Sequence, residues 1–183
     1  MIVCLGWGSL IWDPRNLDLK DNRPEAWRSN GPRLPIEYAR ISEGQRLTLV
    51  IAPWRLLLSV LWNELKGNDV DHAVRSLRER EGTHTIGAWK LGKRSEFPYG
   101  REIGRWGSEI GASAVIWTAL PPKFGGRPGR IPSRAEVITY LRPVEGVDRT
   151  EAERYIRRTP AQIRTRYRAA IESALGWTHD PNF

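Results

Sequence analysis

The sequence contains one cysteine, one methionine and three histidines in 183 residues. A single cysteine, Cys4, excludes an internal disulfide and suits a reducing compartment. It lies in the first apolar run, which predicts a buried, inert thiol. His72, His84 and His179 are scattered without ligand spacing, so no metal site is expected. No apolar run approaches the ~20 residues of a membrane-spanning helix. The N-terminal run lacks a basic leader and is broken by Gly6 and Gly8, so it does not read as a signal peptide. These absences predict a cytoplasmic protein that makes no membrane contact. Phosphate-loop, kinase and zinc-protease motifs are also missing, and no local motif supports a Ser–His–Asp triad.

Tryptophan, by contrast, is abundant. Nine tryptophans in this length must be mostly core or pocket wall. The formal charge is +8, with 29 Lys and Arg against 21 Asp and Glu. Such a balance fits either an anionic partner or a solvated surface. The length suits one domain over 1–183 with a sizeable core, and there is no repeat or linker.

The stretch Gly6-Trp7-Gly8-Ser9-Leu10 follows a short β-forming run, Ile2 to Leu5. Glycine is favoured where φ is positive or where another group comes close to the backbone. A strand ending in such a turn can aim successive N–H groups at a carboxylate or oxyanion, which makes 6–10 a candidate site floor. The same spacing also describes a plain tight turn. A dinucleotide fingerprint needs a third glycine where Ile11 stands, and a nucleophile elbow needs serine between glycines, so Ser9 reads as a donor or acceptor.

Asp13 to Pro32 reads as irregular surface structure, pinned to the core by Trp27. Strands are predicted at Leu34 to Ala39, Gln45 to Ala52, Leu56 to Trp62, Thr83 to Leu91 and Ser113 to Leu120. The second and third should form a hairpin across Pro53-Trp54-Arg55. Gly92 to Ser108 reads as a long charged loop, a candidate lid, and Phe124 to Arg130 as a basic glycine-rich surface loop. In the C-terminal part, 132–176, Ser133 with Glu136, Thr150 with Glu153, and Thr159 with Gln162 have capping-box spacing. Pro160 suits a first helical position. The last helix carries the stripe Ile163, Tyr167, Ile171 and Leu175 to Gly176, with Arg164, Arg166 and Arg168 on the other face. The order of elements predicts an α+β fold, a small mixed sheet or barrel flanked by helices.

The remaining helix concentrates the chemistry. Asn68 or Asp69 caps it, it runs to about Arg80, and Gly82 stops it. Its apolar stripe is Val70, Val74 and Leu77, and the next position on that stripe is Glu81. Glu79 falls on the opposite face. Partial burial and the helix C-terminus both raise a glutamate pKa, as a proton shuttle near neutral pH requires. An ion pair with Arg78 or Arg80 would lower it. The pattern alone leaves both open.

Trp7-Gly8-Ser9-Leu10, extended through Asp13-Pro14, together with Leu77-Arg78-Glu79-Arg80-Glu81-Gly82, resembles the γ-glutamylcyclotransferase-like superfamily, most closely its ChaC-type branch. Trp7 stands where that family has tyrosine, and Gly82-Thr83-His84 where the branch has Gly-Gly-Tyr. The resemblance implies a small mixed β-barrel flanked by helices. It further implies that Gly6, Trp7, Gly8, Ser9 and Leu10 hold a small-molecule γ-glutamyl substrate, and that Glu81 is the catalytic acid and base. The reaction would be intramolecular amine attack that yields 5-oxoproline, with no metal or cofactor. A reading from a different class is a binding module of the same fold, using Arg164, Arg166 and Arg168 to contact nucleic acid or an acidic partner.

Overall fold

A computed structural model describes residues 1–53 and 56–181, so the expected turn at Trp54-Arg55 lies outside the described residues. The strands are β1 Ile2–Gly6, β2 Arg33–Leu34, β3 Ile36–Ile41, β4 Leu47–Ile51, β5 Leu58–Ser59, β6 Leu61–Glu64, β7 Ile86–Lys90, β8 Ala114–Thr118, β9 Lys123–Phe124 and β10 Arg127–Pro128. The helices are α1 Val70–Glu81, α2 Gly100–Glu109, α3 Arg134–Leu141, α4 Gly146–Arg157 and α5 Arg166–Leu175. The chain divides into two compact units. One comprises Met1–Gly6, Leu10–Leu34 and Ser59–Leu120, and the other Trp7–Ser9, Pro35–Leu58 and Pro121–Phe183. The class is α+β, as the sequence predicts.

The first unit is built on a mixed sheet of order β6-β1-β8-β7. Its centre is a parallel pair, β1 on β8, with Cys4 opposite Ile116. All five residues of β1 are buried, so the run is apolar throughout rather than alternating. The sheet is open. A barrel would require β6 to pair with β7, but these strands are the two edges, and α1 carries the chain from one edge to the other.

Side-chain alternation assigns a helix to each face. Trp89 on β7 and Val115 on β8 sit directly opposite each other, and both meet glycines of α2. Lys90, the next residue along, pairs with Asp71 of α1 at 3.0 Å. Neighbouring residues of a strand point to opposite faces, so α1 and α2 cover opposite sides of the sheet. Trp27, 5% exposed, is buried in the core as the sequence predicts, and it packs across the end of β1.

Helix α2 corrects the expectation of a loop over 92–108. Its buried residues are Gly100, Ile103, Gly104 and Gly107. A Cβ at Gly107 would lie 2.8 Å from Val115 Cγ2 and 2.9 Å from Trp89 Cζ3, and one at Gly104 would overlap the Trp89 indole. The glycines that lower helix propensity are what let the helix lie against the sheet.

The second unit has a sheet of order β10-β9-β3-β4 with helices α3, α4 and α5. Among the described residues, the second and third predicted strands do not pair as the expected hairpin. β4 pairs with β3, whereas β6 pairs with β1. The first of the predicted strands runs on to Ile41, with Leu34 set apart by Pro35. The glycine-rich stretch 124–130 contains a tight hairpin, β9 to β10, turning at Gly125 and Gly126 with positive φ.

Side-chain caps start two of the three C-terminal helices, α3 and α5, but not α4. Ser133 and Glu136 form the predicted capping box. Thr150 does not start α4. The helix begins four residues earlier, and the Thr150 hydroxyl donates back to Gly146 O within it. Likewise Thr159 donates to Tyr155 O at the end of α4, and Thr165 caps α5 by accepting from Arg168 N–H at 3.0 Å. Arg168 is buried, not solvated. Its guanidinium donates to the carbonyls of Thr159, Pro160 and Ile163 and pairs with Glu172. Only Arg164 and Arg166 of the expected basic face are exposed.

Candidate functional site

Helix α1 positions Glu81 at its last residue by ordinary helix signals. Asp69 caps the start, accepting from Asp71 N–H at 2.9 Å and His72 N–H at 3.2 Å. Gly82 ends it in the left-handed region (φ 62°, ψ 30°), where its N–H reaches Arg78 O. The buried residues are Ala73, Ser76, Leu77 and Arg80. Val70, Val74 and Glu81 are half-buried at the border of that stripe, and Glu79 is exposed as predicted.

Arg80 and Glu81 act together. The Arg80 side chain is 5% exposed and that of Glu81 18%. Arg80 Nη1 donates to Glu81 Oε1 at 2.7 Å. Its Nε and Nη2 both donate to Asp13 O, at 3.0 and 2.6 Å. One guanidinium therefore clamps the residue that follows the Trp7–Trp12 stretch onto the end of α1. Arg15, with φ 50°, pairs with the Asp13 carboxylate at 3.2 Å.

Both effects weighed in the sequence operate on Glu81. Burial pushes its carboxyl above the usual glutamate range, while the Arg80 guanidinium pulls it down by charge and by hydrogen bond. Burial dominates. Beneath the pair, Cys4 on β1 is fully buried, and its thiol is pushed far up, first by burial and then by the Glu81 charge. It is an inert core thiol, as expected.

The 6–10 stretch is divided between the units, with Gly6 and Leu10 in the same unit as Glu81 and Trp7–Ser9 in the other. Neither Gly6 nor Gly8 has positive φ. Both are close-approach glycines. A Cβ on Gly6 would meet Trp27 Cζ3 at 2.6 Å, and one on Gly8 would overlap the Tyr155 hydroxyl. Within the second unit, Trp7 Nε1 donates to Leu49 O at 3.2 Å, and Leu49 N–H donates to Tyr155 Oη at 3.2 Å. Trp7 and Gly8 are thus seated on β4 and α4. Ser9 opens a single 3-10 turn, Ser9–Ile11, in which Leu10 and Ile11 are buried.

Sequence reasoning missed Arg80 as an anchor and Tyr155 altogether. Arg80 had a signal, since Ala73, Ser76, Leu77 and Arg80 follow the i, i+3, i+4, i+7 pattern of one helix face. Tyr155 had none, because it meets Gly8 through a contact far apart in sequence. Among the described residues, no cluster of three or more His, Cys, Asp or Glu side chains is placed to hold a metal ion, and no helix is long and apolar enough to cross a membrane. No family model matches the chain, and no curated protein or solved structure is found similar to it.

Proposed function

We propose that the chain is a γ-glutamylcyclotransferase-like enzyme that releases 5-oxoproline from a γ-glutamyl amine or peptide. The observation that carries this reading is Glu81, a carboxyl held largely out of water at a helix C-terminus with its pKa raised. A carboxylate shifted upward is a stronger base than one in solution, and its conjugate acid can still be formed and used near neutral pH.

In this reaction Glu81 takes a proton from the substrate α-amino group. The freed nitrogen attacks the γ-carbonyl carbon, and the new C–N bond closes a five-membered ring. The carbonyl oxygen carries the developing negative charge, which backbone N–H donors would stabilise. The original amide C–N bond then breaks, and Glu81 returns its proton to the departing amine. Tethering of nucleophile and electrophile in one molecule lowers the entropic part of the barrier. The Arg80 clamp on Asp13 O and Glu81 Oε1 would hold the carboxylate orientation between the two proton transfers.

The test is 5-oxoproline release from glutathione, γ-glutamyl amino acids and γ-glutamyl amines, with wild type beside Glu81→Gln. Turnover of at least one substrate, falling by about 10²–10⁴-fold in the variant, is expected for loss of a general acid and base. Equal turnover in the two proteins would overturn the assignment of Glu81.

A further inference from the structure

The first unit contains a second feature that involves none of Asp13, Arg15, Arg80 or Glu81. It is a cleft of about 970 Å³ formed by 93–105 and the exposed side of α2. Four cations line it, Lys93, Arg94, Arg101 and Arg105, against two carboxylates, Glu96 and Glu102. All six are exposed. Among the described residues, none of them has an oppositely charged group within 4.0 Å, although eleven ion pairs form elsewhere. With four cations and two carboxylates and no ion pair among them, the cleft carries a net positive charge, and a polyanion seated there would lower the mutual repulsion of the cations.

The rest of the lining is aromatic and small. Trp89 forms a buried wall, and half-buried Phe97 and Tyr99 add two more rings. Phe97 is held edge-on to Trp117, with ring centroids 6.0 Å apart. Gly100 and Gly104 also line the cleft and keep the backbone of α2 low. Tyr99 is held at φ 61°, ψ 10°, a left-handed conformation that bulky residues rarely adopt. That geometry turns the chain from the loop into α2 at the cleft, and Tyr99 offers no side-chain cap to the first-turn amides. The helix N-terminus therefore adds positive potential beside the four side chains.

We propose that this cleft binds a small phosphate-bearing ligand with a planar ring, of the nucleoside diphosphate class. The cations supply charge for the phosphates, the half-buried rings of Phe97 and Tyr99 supply a stacking surface, and the volume lies within the range of small-molecule sites. The proposal goes beyond the reaction assigned to Glu81 and does not depend on it.

The test is calorimetric titration of the full chain with ADP, adenosine, pyrophosphate and a short oligothymidylate at ~50 mM salt, where phosphate contacts are strongest. ADP should bind at least tenfold more tightly than either adenosine or pyrophosphate. Replacing the exposed pair Arg101 and Arg105 with alanine should weaken ADP by about tenfold or more, a loss typical of charged hydrogen bonds. A second pair, Lys93→Ala with Arg94→Ala, sits in the loop and should give the same direction without touching the helix. Arg164→Ala with Arg166→Ala removes equal charge elsewhere and should leave ADP binding unchanged. Absence of ADP binding at millimolar concentration would overturn the proposal, as would equal losses in all three pairs, which is the behaviour of diffuse attraction to a basic chain. Oligothymidylate binding at least tenfold tighter than ADP, lost in the cleft variants, would replace the small ligand with a nucleic-acid strand.

Discussion

Helices α1 and α2 cover opposite faces of one sheet and reach it in different ways. α1 keeps its backbone at side-chain distance, burying Ala73, Ser76, Leu77 and Arg80. α2 brings its backbone down onto the indole of Trp89 through Gly104 and Gly107, and Ile103 is its one large buried side chain. The first arrangement leaves a half-buried rim where a carboxylate can sit in low-dielectric surroundings. The second leaves the outer side of the helix free to line a charged cleft. Side-chain packing and backbone packing thus give the two faces of one sheet different chemistry.

The comparison breaks most visibly where a large side chain is removed. Leu77→Ala in α1 should cost about 2–5 kcal/mol, because Leu77 is fully buried and its loss leaves a cavity. Chemical denaturation measures this directly. A cost below about 1 kcal/mol would mean that α1 is not held by its apolar stripe. Gly104→Ala in α2 sets two effects against each other. Alanine favours a helix by about 1 kcal/mol over glycine, while overpacking against Trp89 costs about 1–3 kcal/mol. A net loss of up to about 2 kcal/mol is expected. A gain in stability would show that α2 tolerates a Cβ and that the backbone contact is not what holds it.

The same contrast explains what the sequence made legible. α1 announced itself because its cap, its stripe and its stop are local: Asp69, Leu77 and Gly82 lie within one stretch. α2 was hidden, since Gly100, Gly104 and Gly107 argue against a helix until Trp89 is known to lie beneath the last two. The strands were readable as apolar runs, but their pairing was not. Nothing in the segment up to Trp62 shows that β6 goes to β1 and β4 to β3. Thr150 and Thr159 misled for a related reason: a threonine hydroxyl can donate back into a helix as readily as it can cap one. At the site, the position of Glu81 on the core border followed from periodicity. The seating of Gly8 under Tyr155 could not, because that partner comes from distant sequence.

A smaller effect sharpens the picture of α1 as a helix fixed by local signals. Asp69→Ala removes the acceptor for two first-turn N–H groups and should cost about 1 kcal/mol. Asp69→Asn retains a cap and should cost only a few tenths. Equal losses in the two variants would indicate that the Asp69 charge, rather than its hydrogen bonds, supports the helix.

The smallest effect concerns Glu81 itself and is read from pH. Burial raises its carboxyl above the unfolded value, so the folded state favours the protonated form. By linkage, the stability this protonation contributes is fully present below the unfolded glutamate pKa of about 4.3, and it is lost as pH rises through the higher folded value. Above that window the folded chain carries a carboxylate that would be better solvated unfolded, and Arg80 offsets only part of the deficit. Glu81→Gln has no such charge. Its melting temperature should exceed that of wild type at pH 7–8, and the two curves should converge toward pH 4. A variant less stable than wild type at neutral pH would mean that the Arg80 ion pair outweighs burial. Glu81 would then be a structural anchor for Asp13 and α1, with a pKa too low for the proton transfers assigned to it.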